Sequence, residues 1–122
     1  MKINIRKARK KDLPQILSLI KELAVYEKAP QEVKVTVKEL ERDGFGKKKA
    51  YNCFVAESSK NKISGIALYY IKYSTWKGKC IFLDDIIVTQ SMRRKGVGKK
   101  LFDSGEYSCS ENGSSIGTLR HV

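Results

Sequence analysis

In the stretch MRRKGVGKKLF, residues 92–102, five cations, Arg93, Arg94, Lys95, Lys99 and Lys100, surround two glycines, Gly96 and Gly98. A basic, glycine-bearing turn that leads into a helix can bind phosphate. The first amides of a helix have no internal partners, the macrodipole puts partial positive charge there, and glycine lets a bulky anion approach the backbone. The spacing is neither that of a Walker loop nor the G-x-G-x-x-G of a dinucleotide fold. A second reading stays open, in which the glycines make a tight turn and the cations are a solvated face. Just upstream, CIFLDDIIV at residues 80–88 carries two adjacent carboxylates, Asp84 and Asp85, inside an apolar run. A regular pleated strand sends neighbours to opposite faces, so one of the two is expected inside. Such a carboxylate can take up a proton or hold a cation, or it can bond to backbone at the strand edge.

These residues need elements to hold them. Alternation of Ile3 and Ile5 with polar residues predicts a strand β1 over residues 2–7. Asp12 as cap, Pro14 in the first turn, and Leu13, Ile16, Leu17, Ile20, Leu23 and Ala24 at spacings of three and four predict a helix α1 over 12–25. Thr36 with Glu39 three residues later forms a capping box that opens a short helix α2, 37–43, ended by DGFG. The β-branched and aromatic runs at 51–58 and 63–73, parted by SKNK, predict an antiparallel hairpin of β2 and β3. The turn STWKGK leads to β4, 80–88, and a helix α3 begins from Arg94 with Leu101 and Phe102 as its first buried pair.

After Asp103 the composition changes. Eight of the 19 residues from 104 to 122 are Ser or Gly and no helical period continues. The expectation is therefore one domain portion over 1–103 followed by an atypical tail over 104–122, flexible or produced by truncation or a shifted reading frame.

The chain has 122 residues, 41% of them hydrophobic, which gives one domain with a core and argues against wholesale disorder. Its formal net charge of +12 favours an anionic partner or serves solubility; charge alone does not choose. Cys53, Cys80 and Cys109 are far apart and match no C-x-x-C pattern, so neither a metal site nor a disulfide framework is indicated, and a cytoplasmic setting fits. No stretch has signal-peptide or membrane-span character.

RRKGVG at 93–98 resembles the R-x-x-G-x-G pyrophosphate loop of the GNAT N-acetyltransferase superfamily, and it follows a β4-like strand as it does there. LIKELAVYEKAP, DGFG, ALYYIKYSTWKGK and FLDDIIV resemble the diamine acetyltransferase branch, which comprises spermidine/spermine and thialysine acetyltransferases. The resemblance covers about residues 3–103. It implies an α+β fold with a mixed sheet, in the order β1-α1-α2-β2-β3-β4-α3, lacking the family's later strand–helix–strand–strand part. It also implies acetyl-CoA as cosubstrate, with no metal. The pyrophosphate would lie on the loop of Arg93, Arg94, Lys95, Gly96, Val97, Gly98 and Lys99, and the pantetheine arm would pair with the backbone of Ile86, Ile87 and Val88.

The implied reaction is transfer of acetyl to a primary amine of a small molecule: a diamine, a polyamine or thialysine. It needs a deprotonated nucleophile, an oxyanion stabiliser and an acid for the departing thiolate. His121 is the only histidine and sits in the tail. Where the branch carries a Glu on β4, associated with acceptor binding and proton removal through water, Asp84 stands here, one methylene shorter. Tyr26, Glu27 and Trp76 match acceptor-side positions, and each has a plain alternative as a core-edge aromatic or a solvated charge. An acid found near that tryptophan in spermidine-acetylating members is Ser74 or Thr75 here. A cationic chain lacking it attracts a polycation poorly, which favours thialysine or another small amine. The family's general-acid tyrosine lies in the lacking part, and Tyr107 is not assigned that role. The resemblance further implies a homodimer. Two alternatives stay open: a CoA-binding remnant without turnover, and a nucleic-acid-binding module using the basic surface.

Overall fold

The computed structural model describes residues 2–76 and 78–104. The elements run β1 (Asn4–Lys7), α1 (Leu13–Tyr26), α2 (Val37–Phe45), β2 (Asn52–Ser59), β3 (Lys62–Ser74), β4 (Gly78–Val88) and α3 (Val97–Ser104). Short 3-10 turns precede each helix, at Lys10–Asp12, Pro30–Glu32 and Gln90–Met92. This is the expected order. The strands form one sheet, β1-β2-β3-β4, and each of the three pairings is antiparallel, whereas the resemblance implied a mixed sheet. Expectations for residues 105–122, with Tyr107, Cys109 and His121, lie outside the described residues.

The sheet is covered on both faces. Leu13, Ile16, Leu19 and Leu23 of α1 and Leu40 of α2 pack on Val55, Ile66 and Ile87 of the sheet. On the other face Val97 and Leu101 of α3, with Met92, pack on Ala56, Ala67, Leu83, Ile86 and Val88. Leu13, Ile16, Ile66, Leu83, Ile86 and Leu101 are fully buried, each worth about 1.5–3 kcal/mol relative to exposure. Thr36 and Glu39 form the expected capping box: Thr36 Oγ1 accepts from the Glu39 amide at 3.2 Å and Glu39 Oε1 accepts from the Thr36 amide at 3.1 Å.

Two expectations need correction. Asp12 does not cap α1; its carboxylate accepts from the Arg9 amide at 2.7 Å and takes two hydrogen bonds from Arg6, at 2.8 and 3.0 Å. A separate 3-10 turn intervenes there, so the residue that looked like a helix cap instead closes that turn and pairs with a guanidinium. Helix α3 begins at Val97 rather than Arg94, because Arg94 (φ +64) and Gly96 (φ +82) are left-handed and interrupt helical geometry. Cys53 is a free, buried thiol. Burial pushes the Cys53 thiol up to about 12, so it is not a reactive group.

Candidate functional site

The carboxylate pair on β4 sits at an irregularity in the strand. Leu83, Ile86 and Val88 pack on the α3 face, while Ile87 packs toward α1. Leu83 and Ile86 are three residues apart, a spacing that strict alternation cannot put on one face. The register explains it: Leu68 of β3 pairs with Asp85, and the next residue, Tyr69, pairs with Leu83, so Asp84 is an extra residue in a β-bulge. The expected division of Asp84 and Asp85 between faces therefore fails. Both line one cavity on the α1 side.

That cavity has a volume of about 390 Å³ and lies between the end of α1, the connection to α2 and the bulge. Helix α1 stops where Lys28 turns left-handed (φ +59), and the Ala29 amide donates back to Ala24 O at 2.8 Å. This reversal brings Glu27 and, one 3-10 turn later, Glu32 to the cavity wall. With Asp84 and Asp85 they make four carboxylates, and none of the described lining residues is Lys or Arg. The remaining walls are apolar, formed by Ile20, Leu23, Ala24, Ile66, Leu68 and Ile87 among others. In a chain of net charge +12 the local sign is reversed. Such a cavity suits a small molecule bearing ammonium groups on a hydrocarbon stem, and its carboxylates can accept the proton an amine must lose before it attacks.

A second cavity, about 560 Å³, opens beside the start of α3 and is lined by Tyr26, Val88, Met92, Arg93, Arg94, Gly96, Val97, Gly98 and Lys99. The first intrahelical bond at this end runs from the Lys100 amide to Gly96 O at 3.0 Å, so the amides of Val97, Gly98 and Lys99 precede the helical ladder. A Cβ built on Gly96 would meet nothing within 4 Å, which leaves open space against the backbone at this point. Arg94 and Lys95 are exposed. Lys99 is charged and bonded to Asp103 at 2.9 Å, which raises its pKa. A diphosphate fits this chemistry: backbone donors at a helix start, an unobstructed approach and flanking cations.

The two cavities are neighbours. Tyr26 lines the cationic one and Glu27 the acidic one; Val88 lines the cationic one and Ile87 the acidic one. Among the residues expected on the acceptor side, Glu27 and Asp84 are brought together. Tyr26 is instead placed at the cationic turn, with the Arg93 guanidinium 5.0 Å from its ring centre. Trp76 is 92% exposed in the β3–β4 turn and lines neither cavity. Ile86 is buried under α3, while the backbone of β4 has a strand on one side only among the described residues. Sequence reasoning missed Asp85 and Glu32 as cavity residues. The D-D pair hinted at the first; for Glu32, set in a short turn after Pro30, no local pattern pointed inward. It also missed Glu22, whose carboxylate receives hydrogen bonds from Thr89, Gln90 and Arg93.

The family described as Acetyltransferase (GNAT) family matches residues 13–119. Thialysine N-epsilon-acetyltransferase of Bos taurus is 43% identical over 106 residues, covering 81% of this chain and 62% of that protein. The Mus musculus protein of the same name is 39% identical over 104 residues, covering 80% and 61%. Spermidine/spermine N(1)-acetyltransferase-like protein 1 of Homo sapiens is 40% identical over 103 residues, covering 80% of this chain and 15% of that protein. The chain thus spans about three fifths of the length of the thialysine acetyltransferases. Among solved structures, the ribosomal-protein-alanine N-acetyltransferase from Brucella melitensis biovar Abortus 2308 superposes with a TM-score of 0.67 at 20% identity, covering 100% of this chain and 81% of that one. An aminoglycoside acetyltransferase from an uncultured soil metagenomic sample gives 0.66 at 19%, covering 98% and 76%. Likeness at this level of identity speaks for the fold.

Proposed function

The chain belongs to the Acetyltransferase (GNAT) family, and from that premise we propose that it serves an acetyl-CoA-dependent N-acetyltransferase acting on a primary amine of a small molecule: a diamine, a polyamine or thialysine. The observation that carries this reading is the adjacency of two cavities of opposite character, one with a glycine turn and cations, the other with four carboxylates, parted at Tyr26/Glu27 and Ile87/Val88. Acetyl-CoA supplies the acetyl group as a thioester. The amides of Val97, Gly98 and Lys99 with the charges of Arg94 and Lys95 would hold its diphosphate, and the outer edge of β4 at Ile86, Ile87 and Val88 would take the pantetheine arm as an added strand.

In the acidic cavity Glu27, Glu32 and Asp85 would attract and orient the ammonium groups of the acceptor, and Asp84, held out of register by the bulge, would take the proton of the attacking amine through water. Net charge together with the acid absent at Ser74 or Thr75 favoured thialysine or another small amine, but the reversed local sign of the cavity weakens the charge objection to a diamine or polyamine. A homodimer, which light scattering tests, and a cytoplasmic setting belong to the same reading.

The test is a pair of titrations on the chain. CoA is expected to raise the melting temperature saturably, and a small diamine to bind with an affinity that falls in Asp84→Asn and Glu27→Gln while CoA binding stays unchanged. A chain that CoA does not stabilise would end this reading.

A further inference from the structure

The donor loop is gripped from outside by α1. Glu22 and Tyr26 lie one helical turn apart on α1, at i and i+4, and both reach the segment that follows β4. Glu22 Oε1 accepts from Thr89 Oγ1 at 2.9 Å; Glu22 Oε2 accepts from the Gln90 amide at 2.7 Å and from Arg93 Nη2 at 3.5 Å. Arg93 also donates through Nε to Val88 O at 3.2 Å, and its guanidinium stands 5.0 Å from the Tyr26 ring centre. The first cation of the loop is therefore occupied by partners within the protein and turned toward α1. Further along, the buried residues Met92 and Val97 fix the same segment to the sheet.

We propose that Glu22 is a positioning residue for donor binding: it fixes the turn after β4 and holds Arg93 against Tyr26, so that the backbone amides at the start of α3, rather than the Arg93 side chain, face the anion. This rests on the donor-binding reading above. Without the carboxylate, the Gln90 amide loses its acceptor and Arg93 loses an opposite charge within the same turn. The guanidinium is then free to swing into the space lined by Gly96 and Gly98, and the turn loses its fixed start. An effect transmitted this way is confined to the phosphate end of the ligand. Loss of a merely structural contact would weaken every part of it.

The experiment compares CoA with pantetheine, which lacks the phosphates, by calorimetry and NMR titration of wild type, Glu22→Ala and Glu22→Gln. Alanine preserves α1, being the strongest helix former. Glu22→Ala is expected to weaken CoA by about tenfold, the scale of one hydrogen bond to a charged group, and to leave pantetheine affinity unchanged. Glu22→Gln, isosteric and able to accept from the Gln90 amide, is expected to fall between. CoA affinity equal to wild type in Glu22→Ala, or an equal loss for CoA and pantetheine, would overturn the proposal while leaving the donor-binding reading intact. Failure of wild type to bind CoA would sink both.

Discussion

Substitution of Gly96 by alanine separates the backbone requirement of the turn from its function as an anion site. Gly96 has φ +82, a conformation that an L side chain enters at a cost of roughly 1 kcal/mol. The added Cβ would meet no atom within 4 Å, so there is no clash to add to that cost. For a chain of 122 residues, such a loss lowers the melting temperature by about 4 °C. Gly78, the first residue of β4, provides a matched control: φ is +84, a Cβ again meets nothing within 4 Å, and the residue lines neither cavity. Gly78→Ala and Gly96→Ala should therefore lose similar stability. The methyl at position 96, however, stands in the space an anion would use to approach the amides of Val97 to Lys99, so this variant alone should lose CoA affinity, by about tenfold if one hydrogen bond to a charged group is broken. Differential scanning fluorimetry gives the first quantity and calorimetric titration with CoA the second. Equal CoA affinities in the two variants would refute the assignment of the anion to this turn.

Arg94 occupies the left-handed region with a full side chain at φ +64, so Arg94→Gly should raise stability by about 1 kcal/mol while weakening CoA binding and flattening its dependence on salt; melting and titration at two salt concentrations check both signs. Burial pushes the Asp12 carboxyl up, but the hydrogen bonds from Arg6 and the Arg9 amide outweigh it and hold the group below its usual range. A depressed folded pKa means that its contribution is full above the unfolded value and is lost as pH falls through the folded one, so the urea midpoint should drop as pH falls below about 4. In Asp12→Asn this acid slope should shrink, and a slope unchanged from wild type would count against the pairing. Asp85→Asn should weaken diamine binding as Asp84→Asn does, because the bulge puts both on one wall; an effect of Asp84→Asn alone would mean that the two face apart.

The elements were legible because each carries a local signal: helical spacing in α1, the Thr36–Glu39 box at α2, two β-rich runs with a polar turn between β2 and β3. The glycine turn was legible for the same reason, since its cations and glycines are contiguous. What the sequence hid was long-range. Strict alternation put Asp84 and Asp85 on opposite faces, and only the pairing of β4 with β3 reveals the extra residue that unites them. Helix α3 was begun too early because no local pattern marks Arg94 as left-handed. The acidic cavity draws on residues as far apart as Glu27, Glu32 and Asp85, and the grip of Glu22 on residues 89–93 spans a separation that no periodicity encodes.

The central claim is that free peptide amides at the start of α3 bind a diphosphate, and backbone NMR of the isotopically labelled chain during addition of CoA tests it most directly. The account predicts saturable shifts concentrated in the amides of residues 94–99, reproduced in part by inorganic pyrophosphate and absent with pantetheine alone. Shifts confined to other regions, with residues 94–99 unmoved at saturation, would contradict it.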